Sequence, residues 1–551
     1  MIFTPVCALC GADHLSAILY CDCDYSIDFR EKLIQILLSL RLYSRTVIQL
    51  ALRDYQLLPV GAVVESIMNN AGLEFLWVFP RQSGKDEAIA QMVAYLLMLF
   101  HRSEVSVAHV YPTASQLAVG LVRLENRMDN IWTHGRWWGK SRPVRRGMGK
   151  AVCAFFSGHP QSRAEGATAN LLLVVNEVQD QDEITIERRF TPMRSSANAT
   201  ALYVGTVRTT SDYLWRIKTR LEKLESDGQQ RVFIVSADAV GAENENYSAF
   251  VAGQVRQRGR QHPIIRTEYF NEAVDVAAGL FPRRRRLLMM GDHPRLDGPL
   301  PGEIYIGLID VGGQDEAAIS AFADLSNPGR DYTTLTIVRV GSESRSGSEG
   351  VLDVGLLYQV VDVWSDQGTR HFQAASGLPS LFSQLMARLQ HWRVVAVISD
   401  FTGVGQGITD ALTEAMSQLV FGFDFSKGYG KSRLGNDFLA VVETGRFRYF
   451  AGSMEDELSD WWWFFTQCEH CGYELADGVP IERGLRWGVT ASAKVVTSVG
   501  DSLLVHDDRL LSAAMVAEVD RLVREGKLFL STGESAVIRR EDEDEGKGGW
   551  S

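Results

Sequence analysis

The sequence predicts an α/β protein made of two successive domains. Three observations carry that prediction. Short apolar runs alternate with helical stretches along most of the chain, the order expected of parallel strands joined by crossover helices. One run, Leu73 to Val78, leads into a Ser-Gly-Lys turn and then a second apolar stretch, Ala88 to Phe100. In the second half, two further runs end in Asp310 and Asp400, and an acidic pair opens a late helix.

The turn comprises Phe79-Pro80-Arg81-Gln82-Ser83-Gly84-Lys85-Asp86-Glu87. Strand, tight loop and helix in that order form a phosphate-gripping P-loop (Walker A). Glycine lets the backbone approach the phosphates, amides at the helix start point at them, and lysine adds charge. Gln82, Ser83, Gly84, Lys85 and Asp86 are therefore the candidate nucleotide contacts. Two positions are irregular. Phe79 stands where the first glycine of G-x-x-x-x-G-K-[ST] belongs, and Asp86 stands at the Ser/Thr. Alone, the loop fits a nucleotide site and an ordinary turn equally well.

Its neighbours favour the nucleotide site. Leu171 to Val175 runs into Asn176-Glu177, the form of a Walker B strand with its polar pair at the C-terminal end. The first of that pair normally serves the magnesium shell and the second polarises the attacking water. A further strand, Ala201 to Val204, ends at Gly205-Thr206. Upstream, the Gln56 amide offers the donor and acceptor that an adenine edge needs, although a solvated glutamine at a helix start is the simpler reading. Val105 to His109 is another strand.

Composition sets the bounds. A chain of 551 residues has room for two to four domains. Hydrophobic content of 46% and charged content of 23% are ordinary for a soluble globular enzyme. A formal net charge of −12 argues against coating nucleic acid by bulk charge, while local basic patches remain able to bind phosphates. No apolar run is long and charge-free enough to span a bilayer, and the first residues lack a basic signal-peptide start, so a cytosolic protein without a membrane partner is expected. Seven cysteines are too few for a disulfide framework. Cys7, Cys10, Cys21 and Cys23 have the number of thiolates for a structural zinc, with reduced, partly buried thiols as the alternative.

Arg81-Gln82-Ser83-Gly84-Lys85, Tyr111-Pro112-Thr113 with Gln116, Glu165-Gly166-Ala167-Thr168 before the Walker B strand, and Val204-Gly205-Thr206 after it resemble the ATPase half of tailed-bacteriophage large terminases. The second half is consistent with that resemblance. Asp310 and Asp400 end strands, and His506-Asp507-Asp508 opens a helix, so three acids can converge on two divalent metals. That is the plan of an RNase H-like nuclease, in which carboxylates hold hard cations. Asp400-x-Thr402-Gly403-x-Gly405 and His506-Asp507-Asp508 resemble the terminase nuclease motifs.

The resemblance implies a P-loop NTPase domain followed by an RNase H-like nuclease domain. Their expected extents are 51–278 and 303–533, with an accessory cysteine segment at 1–50, a basic linker at 279–302 and an acidic tail at 534–551. It also implies roles. Gln56 sits by the adenine, Gly84 and Lys85 grip phosphates, and Arg81 senses or stabilises the γ-phosphate. Glu177 orients water, and Gly205 and Thr206 couple hydrolysis to movement. Asp310, Asp400 and Asp508, with Asp507 as an alternate, bind nuclease Mg²⁺ or Mn²⁺. Implied cofactors are ATP and magnesium or manganese. Implied partners are double-stranded DNA, a portal protein, a small terminase subunit and further copies in a ring. The implied setting is the host cytoplasm and, transiently, the procapsid portal. Rival readings are a helicase-like ATPase-nuclease of repair or defence and a non-catalytic assembly subunit. Asp86 and Asn176 together leave the acidity near the magnesium unchanged, which points to a carboxylate moved to the loop side, with a weakened ATPase as the alternative.

The remaining expectations concern local structure. Residues 28–52 read as one amphipathic helix with Leu33, Ile36, Leu37, Leu40 and Leu42 on its apolar face. Residues 134–150, with Arg136, Lys140, Arg142, Arg145, Arg146 and Lys150, read as a basic loop, either on DNA or merely solvated. Arg283 to Arg286 face DNA phosphates or solvent. Gly422 to Asp437 reads as a mobile DNA-facing loop. Trp461 to Trp463 read as packing rather than base-stacking, the Cys468/Cys471 pair as structural rather than assisting a metal, and the tail as disordered, with a partner-binding tail as the alternative.

Overall fold

The computed structural model describes residues 27–160, 167–210, 212–274, 279–312, 331–342, 355–373, 379–416, 419–476 and 479–530. Among these, the residues up to Gly253 together with Pro263–Val274 form one unit, and Gln254–His262 with the residues from Gly279 onward form a second. Cys7, Cys10, Cys21, Cys23, the Ser162–Gly166 stretch, Gly313 to Asp315 and the acidic tail lie outside the described residues.

In the first unit the alternating pattern folds as expected. Strands are β1 (Glu74–Val78), β2 (Ser106–Tyr111), β3 (Trp137–Ser141), β4 (Val144–Met148), β5 (Ala151–Ser157), β6 (Leu172–Val175), β7 (Thr200–Gly205) and β8 (Val232–Ile234). They form one sheet in the order β3-β4-β5-β2-β6-β7-β1-β8. The strands from β5 to β8 in that order are parallel, and the β3–β4 hairpin adds an antiparallel edge, so the sheet is mixed. Leu76, Val78, Val110, Leu173, Val175, Ala201 and Tyr203 are buried in its core. The strand that leads into the Ser-Gly-Lys turn, β1, and the strand that leads into Asn176-Glu177, β6, are separated by β7 alone. In register, Val78 lies beside Gly205 and Val175 beside Tyr203, which brings three motif ends to one edge.

The helices include α1 (Ile27–Leu38), α2 (Leu40–Thr46), α3 (Asp54–Met68), α4 (Lys85–Leu99), α5 (Ala114–Met128) and α6 (Tyr213–Leu224). The single helix expected over 28–52 is therefore two. Ser39 breaks it: its hydroxyl accepts from the Leu42 amide at 3.3 Å and caps α2. The break also shifts the buried face to Leu33, Tyr43, Val47 and Ile48, leaving Leu42 exposed. The basic loop of 134–150 is the β3–β4 hairpin, and the main chain of Lys140 pairs with that of Arg145. Arg146 donates to Glu125 at 2.6 Å and is a structural arginine.

The second unit is built on β9 (Ile304–Asp310), β10 (Thr333–Ser342), β11 (Leu356–Asp366), β12 (Ala396–Asp400), β13 (Val420–Phe423) and β14 (Phe447–Tyr449), in the order β13-β12-β9-β10-β11-β14. The strands β9, β10 and β11 run antiparallel in succession, and β12 lies parallel against β9. This is the RNase H-like arrangement. Its helices include α7 (Arg283–Met289), α8 (Leu381–His391), α9 (Gly405–Met416), α10 (Gly430–Glu443), α11 (Asp460–His470), α12 (Asp508–Ala514) and α13 (Val516–Arg524). Tyr305, Ile309, Leu335, Ile337, Leu385, Leu389 and Val397 form the core against α8.

Two expectations about basic segments are corrected here. The 422–437 stretch is not a mobile loop: Gly430 onward is the helix α10. There Arg433 pairs with Glu518 at 3.3 Å and Lys431 lies 3.6 Å from Asp507. The arginine run is likewise structural in part. Arg284 and Arg285 both pair at 2.7 Å with Glu443, whose side chain is 1% exposed, and Arg286 pairs with Glu469 at 3.2 Å. A buried carboxylate needs such partners. Trp461 and Trp462 pack as expected, buried on α11. Cys468 and Cys471 are buried free thiols, and burial pushes Cys471 up to about 12.

Candidate functional site

At the edge shared by β1, β7 and β6, the loop after Val78 bends sharply. Gly84 has φ +84°, which L side chains rarely adopt, and a Cβ there would meet Gln56 Nε2 at 2.7 Å. Gln82 also takes a positive φ, 59°. Gln56 is buried, and its amide nitrogen donates to the Gly84 carbonyl at 3.0 Å. Its oxygen accepts from the Arg53 amide at 2.9 Å. In this state Gln56 braces the loop. Tyr55, which sequence reasoning passed over, donates its hydroxyl to the Ser83 carbonyl at 2.8 Å. Ser83 turns its hydroxyl inward to the Pro80 carbonyl at 2.6 Å. Arg81 is exposed and pairs with Glu268 at 3.5 Å.

Lys85, the first residue of α4, is drawn into the edge and pairs with Glu177 Oε1. Burial opposes its charge, but Glu177 and then Asp86 outweigh burial, so its pKa lies above the ordinary lysine value. Glu177 follows β6 by two residues in a left-handed conformation, φ 46°, which costs a non-glycine residue about 1–2 kcal/mol. Its second oxygen accepts from Gln179 Nε2 at 2.6 Å, and Gln179 Oε1 accepts from the Thr206 amide at 3.1 Å. Lys85 Nζ reaches Thr206 Oγ1 at 3.5 Å and closes the ring. A Cβ on residue 205 would lie 2.2 Å from Gln179 Oε1, so Gly205 makes room for that bridge.

On the other side of Lys85, Asp86 Oδ1 accepts from Asn176 Nδ2 at 3.0 Å, and Asp86 Oδ2 lies 3.2 Å from Arg123 Nη1 on α5. The structure thus gathers Gly84, Lys85, Asp86, Asn176, Glu177, Gly205 and Thr206 around one loop. Gln179 and Arg123 are functional candidates that sequence reasoning missed. Gln179 could have been flagged by its place two residues past Glu177 in a turn. Arg123 carried no signal, being one charge on an amphipathic helix.

The second site lies at the ends of β9 and β12. Ile309 pairs with Ser399 in parallel register, which sets Asp310 and Asp400 side by side. They are 8% and 7% exposed. Helix α12 packs across β9 and β10 through the Ser512 hydroxyl, which donates to the Leu308 carbonyl at 2.9 Å and meets Thr336 Oγ1 at 2.8 Å. Its first residue, Asp508, is 3% exposed, and its Oδ2 is buried without a hydrogen-bond partner. Asp507 is less buried and faces Lys431. Asp331, outside the motifs, meets His506 Nδ1 at 3.0 Å.

All three buried acids resist ionisation. Burial, then the charges of Asp508 and Asp400, hold Asp310 well above the aspartate range. Burial raises Asp400 to about 6 against the Thr402 hydrogen bonds that lower it. Burial raises Asp508 to about 7, with Asp331 and Asp507 adding to it. Among the described residues no three His, Cys, Asp or Glu side chains form a ready-made ion site. The acids share a field without being drawn together. The unpartnered Asp508 oxygen and the mutual repulsion nevertheless suit hard divalent cations.

No protein-family model and no curated protein matches the chain. Solved structures do. The large terminase of a thermophilic bacteriophage, in complex with ADP, is 12% identical, with 85% of this chain and 99% of that one covered and a TM-score of 0.39. The chain resembles phage large terminases. The bacteriophage HK97 large terminase is 11% identical over 85% of this chain and 96% of that one, with a TM-score of 0.33. The large terminase nuclease of thermophilic phage G20c with bound magnesium is 14% identical over 44% of this chain and 96% of that one, with a TM-score of 0.26.

Proposed function

We propose that the chain is a large terminase subunit: an ATPase that drives duplex DNA into a procapsid and a metal-dependent nuclease that cuts it. The observation that carries this reading is the Lys85–Glu177–Gln179–Thr206 ring beside a P-loop, in a chain that also buries three acids at strand and helix ends. Structural residues alone do not require either arrangement. In the ATPase half, Gly84 admits the phosphates and Lys85 neutralises them. An arriving γ-phosphate offers Lys85 a stronger partner than Glu177, which frees one carboxylate oxygen to orient water. Gln179 transmits any shift of Glu177 to Thr206 and the end of β7. Arg81, exposed at the loop, would leave Glu268 to meet the γ-phosphate.

In the nuclease half, Asp310, Asp400 and Asp508 would hold divalent cations, with Asp507 at the rim. When bound, such ions supply charge neutralisation and an acidified water for phosphodiester cleavage. Neutralising the cluster also removes the repulsion between the acids. Contacts to duplex DNA are mainly to phosphates, so binding is salt-sensitive and weakly sequence-dependent. The portal, the small terminase and a ring of copies complete the proposed machine.

The test combines ATP hydrolysis with a forked-duplex strand-displacement assay. The expected result is ATP turnover stimulated by duplex DNA without strand separation. ATP-dependent unwinding would favour a helicase-nuclease instead.

A further inference from the structure

Nucleotide sites built on a P-loop ordinarily take their magnesium shell from a Ser/Thr hydroxyl after the loop lysine and a carboxylate at the Walker B strand end. Here those two positions carry Asp86 and Asn176, and the structure joins them directly by the 3.0 Å contact. A carboxylate can only accept, so the Asn176 nitrogen must be the atom facing Asp86. The Asn176 oxygen is thereby left over. It is buried, in a residue that is 2% exposed, and has no hydrogen-bond partner. A plain cross-link between α4 and β6 does not explain an orphaned oxygen, because buried acceptors are nearly always satisfied. The Asp86 carboxylate is not spare either: Arg123 covers its other oxygen at 3.2 Å, with both side chains about one-third exposed and within reach of solvent.

We infer that Asp86 and Asn176 form a permuted shell for nucleotide-bound magnesium, with Arg123 as a built-in counter-ion that the cation displaces. The carboxylate comes from the loop-side helix and the neutral oxygen from the strand. The total charge is that of the ordinary arrangement, with its origin exchanged. The main chain holds Asn176 in place, since its backbone carbonyl accepts from Gln181 Nε2 at 3.0 Å and its backbone N–H donates to the Val110 carbonyl at 2.9 Å. The inference rests on the nucleotide-site reading above.

The test measures binding of a fluorescent N-methylanthraniloyl ATP to the full chain, titrated with Mg²⁺ or held in EDTA. Wild type should bind about tenfold more tightly with Mg²⁺. Asp86→Ser should lose that enhancement, and the double variant Asp86→Ser with Asn176→Asp should regain it. Arg123→Gln, a surface change that spares the core, should lower the Mg²⁺ concentration at half-effect. Wild-type Mg²⁺ dependence in Asp86→Ser overturns the exchange, as does a folded double variant with no recovery. An unchanged Mg²⁺ midpoint in Arg123→Gln overturns the counter-ion role. Binding of the analogue by wild type with no Mg²⁺ effect sinks the exchange alone. No binding under any condition sinks the nucleotide site as well.

Discussion

Asp508→Asn should make the chain more stable while removing a ligand of the proposed nuclease metals. The carboxyl is buried, one of its oxygens has no partner, and its pKa rises from 3.8 to about 7. Between those values the folded chain binds more protons at this group than the unfolded chain does. Its contribution to stability therefore falls as pH rises from about 4 to about 7, and the whole penalty is present above that. The rise corresponds to an upper bound of roughly 4 kcal/mol, at about 1.4 kcal/mol for each pH unit. Local rearrangement and water reduce it, so the expected gain is about 1–3 kcal/mol at pH 8, or roughly 3–8 °C in Tm for a unit of this size. Asparagine keeps an acceptor for the Tyr332 amide and adds a donor toward the neighbouring acids. The change also relieves Asp310, whose ionisation Asp508 opposes. The assay is thermal and urea unfolding in EDTA at pH 8 and pH 6, repeated with Mg²⁺. The variant should gain about 1 kcal/mol less at pH 6 than at pH 8. Mg²⁺ should stabilise wild type more than the variant. A variant no more stable than wild type at pH 8, or one whose gain grows toward pH 6, would refute the reasoning.

Other outcomes follow from the same structure. Glu177→Gln should cut ATP turnover by about 100-fold or more while leaving nucleotide binding in place, as equilibrium binding and steady-state hydrolysis would show. Gly84→Ala forces a side chain into a left-handed turn against Gln56, so it should abolish nucleotide binding in a chain that still folds by circular dichroism. Gln179→Ala should lower kcat with little change in nucleotide affinity, because it removes the bridge between Glu177 and Thr206; equal losses in affinity would contradict that role. Glu443→Ala leaves Arg285 buried without its carboxylate and should cost about 3–5 kcal/mol of unfolding free energy.

Much of this was legible in the chain. The strand ends at Val78, Val175, Asp310 and Asp400 could be read because buried parallel strands are near-continuous apolar runs that stop at a polar edge. Asp507 and Asp508 were readable instead as an acidic pair at the start of a late helix. Contacts between side chains far apart in sequence were not. Gln179 bonds the Thr206 amide, and Arg123 meets Asp86 only because α5 passes it; neither leaves a local pattern. Basic runs misled because charge in sequence does not reveal its partner. Glu443 lies 158 residues from Arg285, so the arginines read as solvent- or DNA-facing until the fold brought the carboxylate to them. The helix break at Ser39 was missed because the apolar spacing continues through it, while the hydroxyl that caps the start of α2 acts on a single backbone amide.

The most direct test of the account is plasmid cleavage by the full chain in Mg²⁺ or Mn²⁺, wild type against Asp400→Ala. Wild type should nick and linearise the plasmid, and the variant should leave it supercoiled while still hydrolysing ATP. Equal cutting by both proteins would contradict the assigned nuclease site.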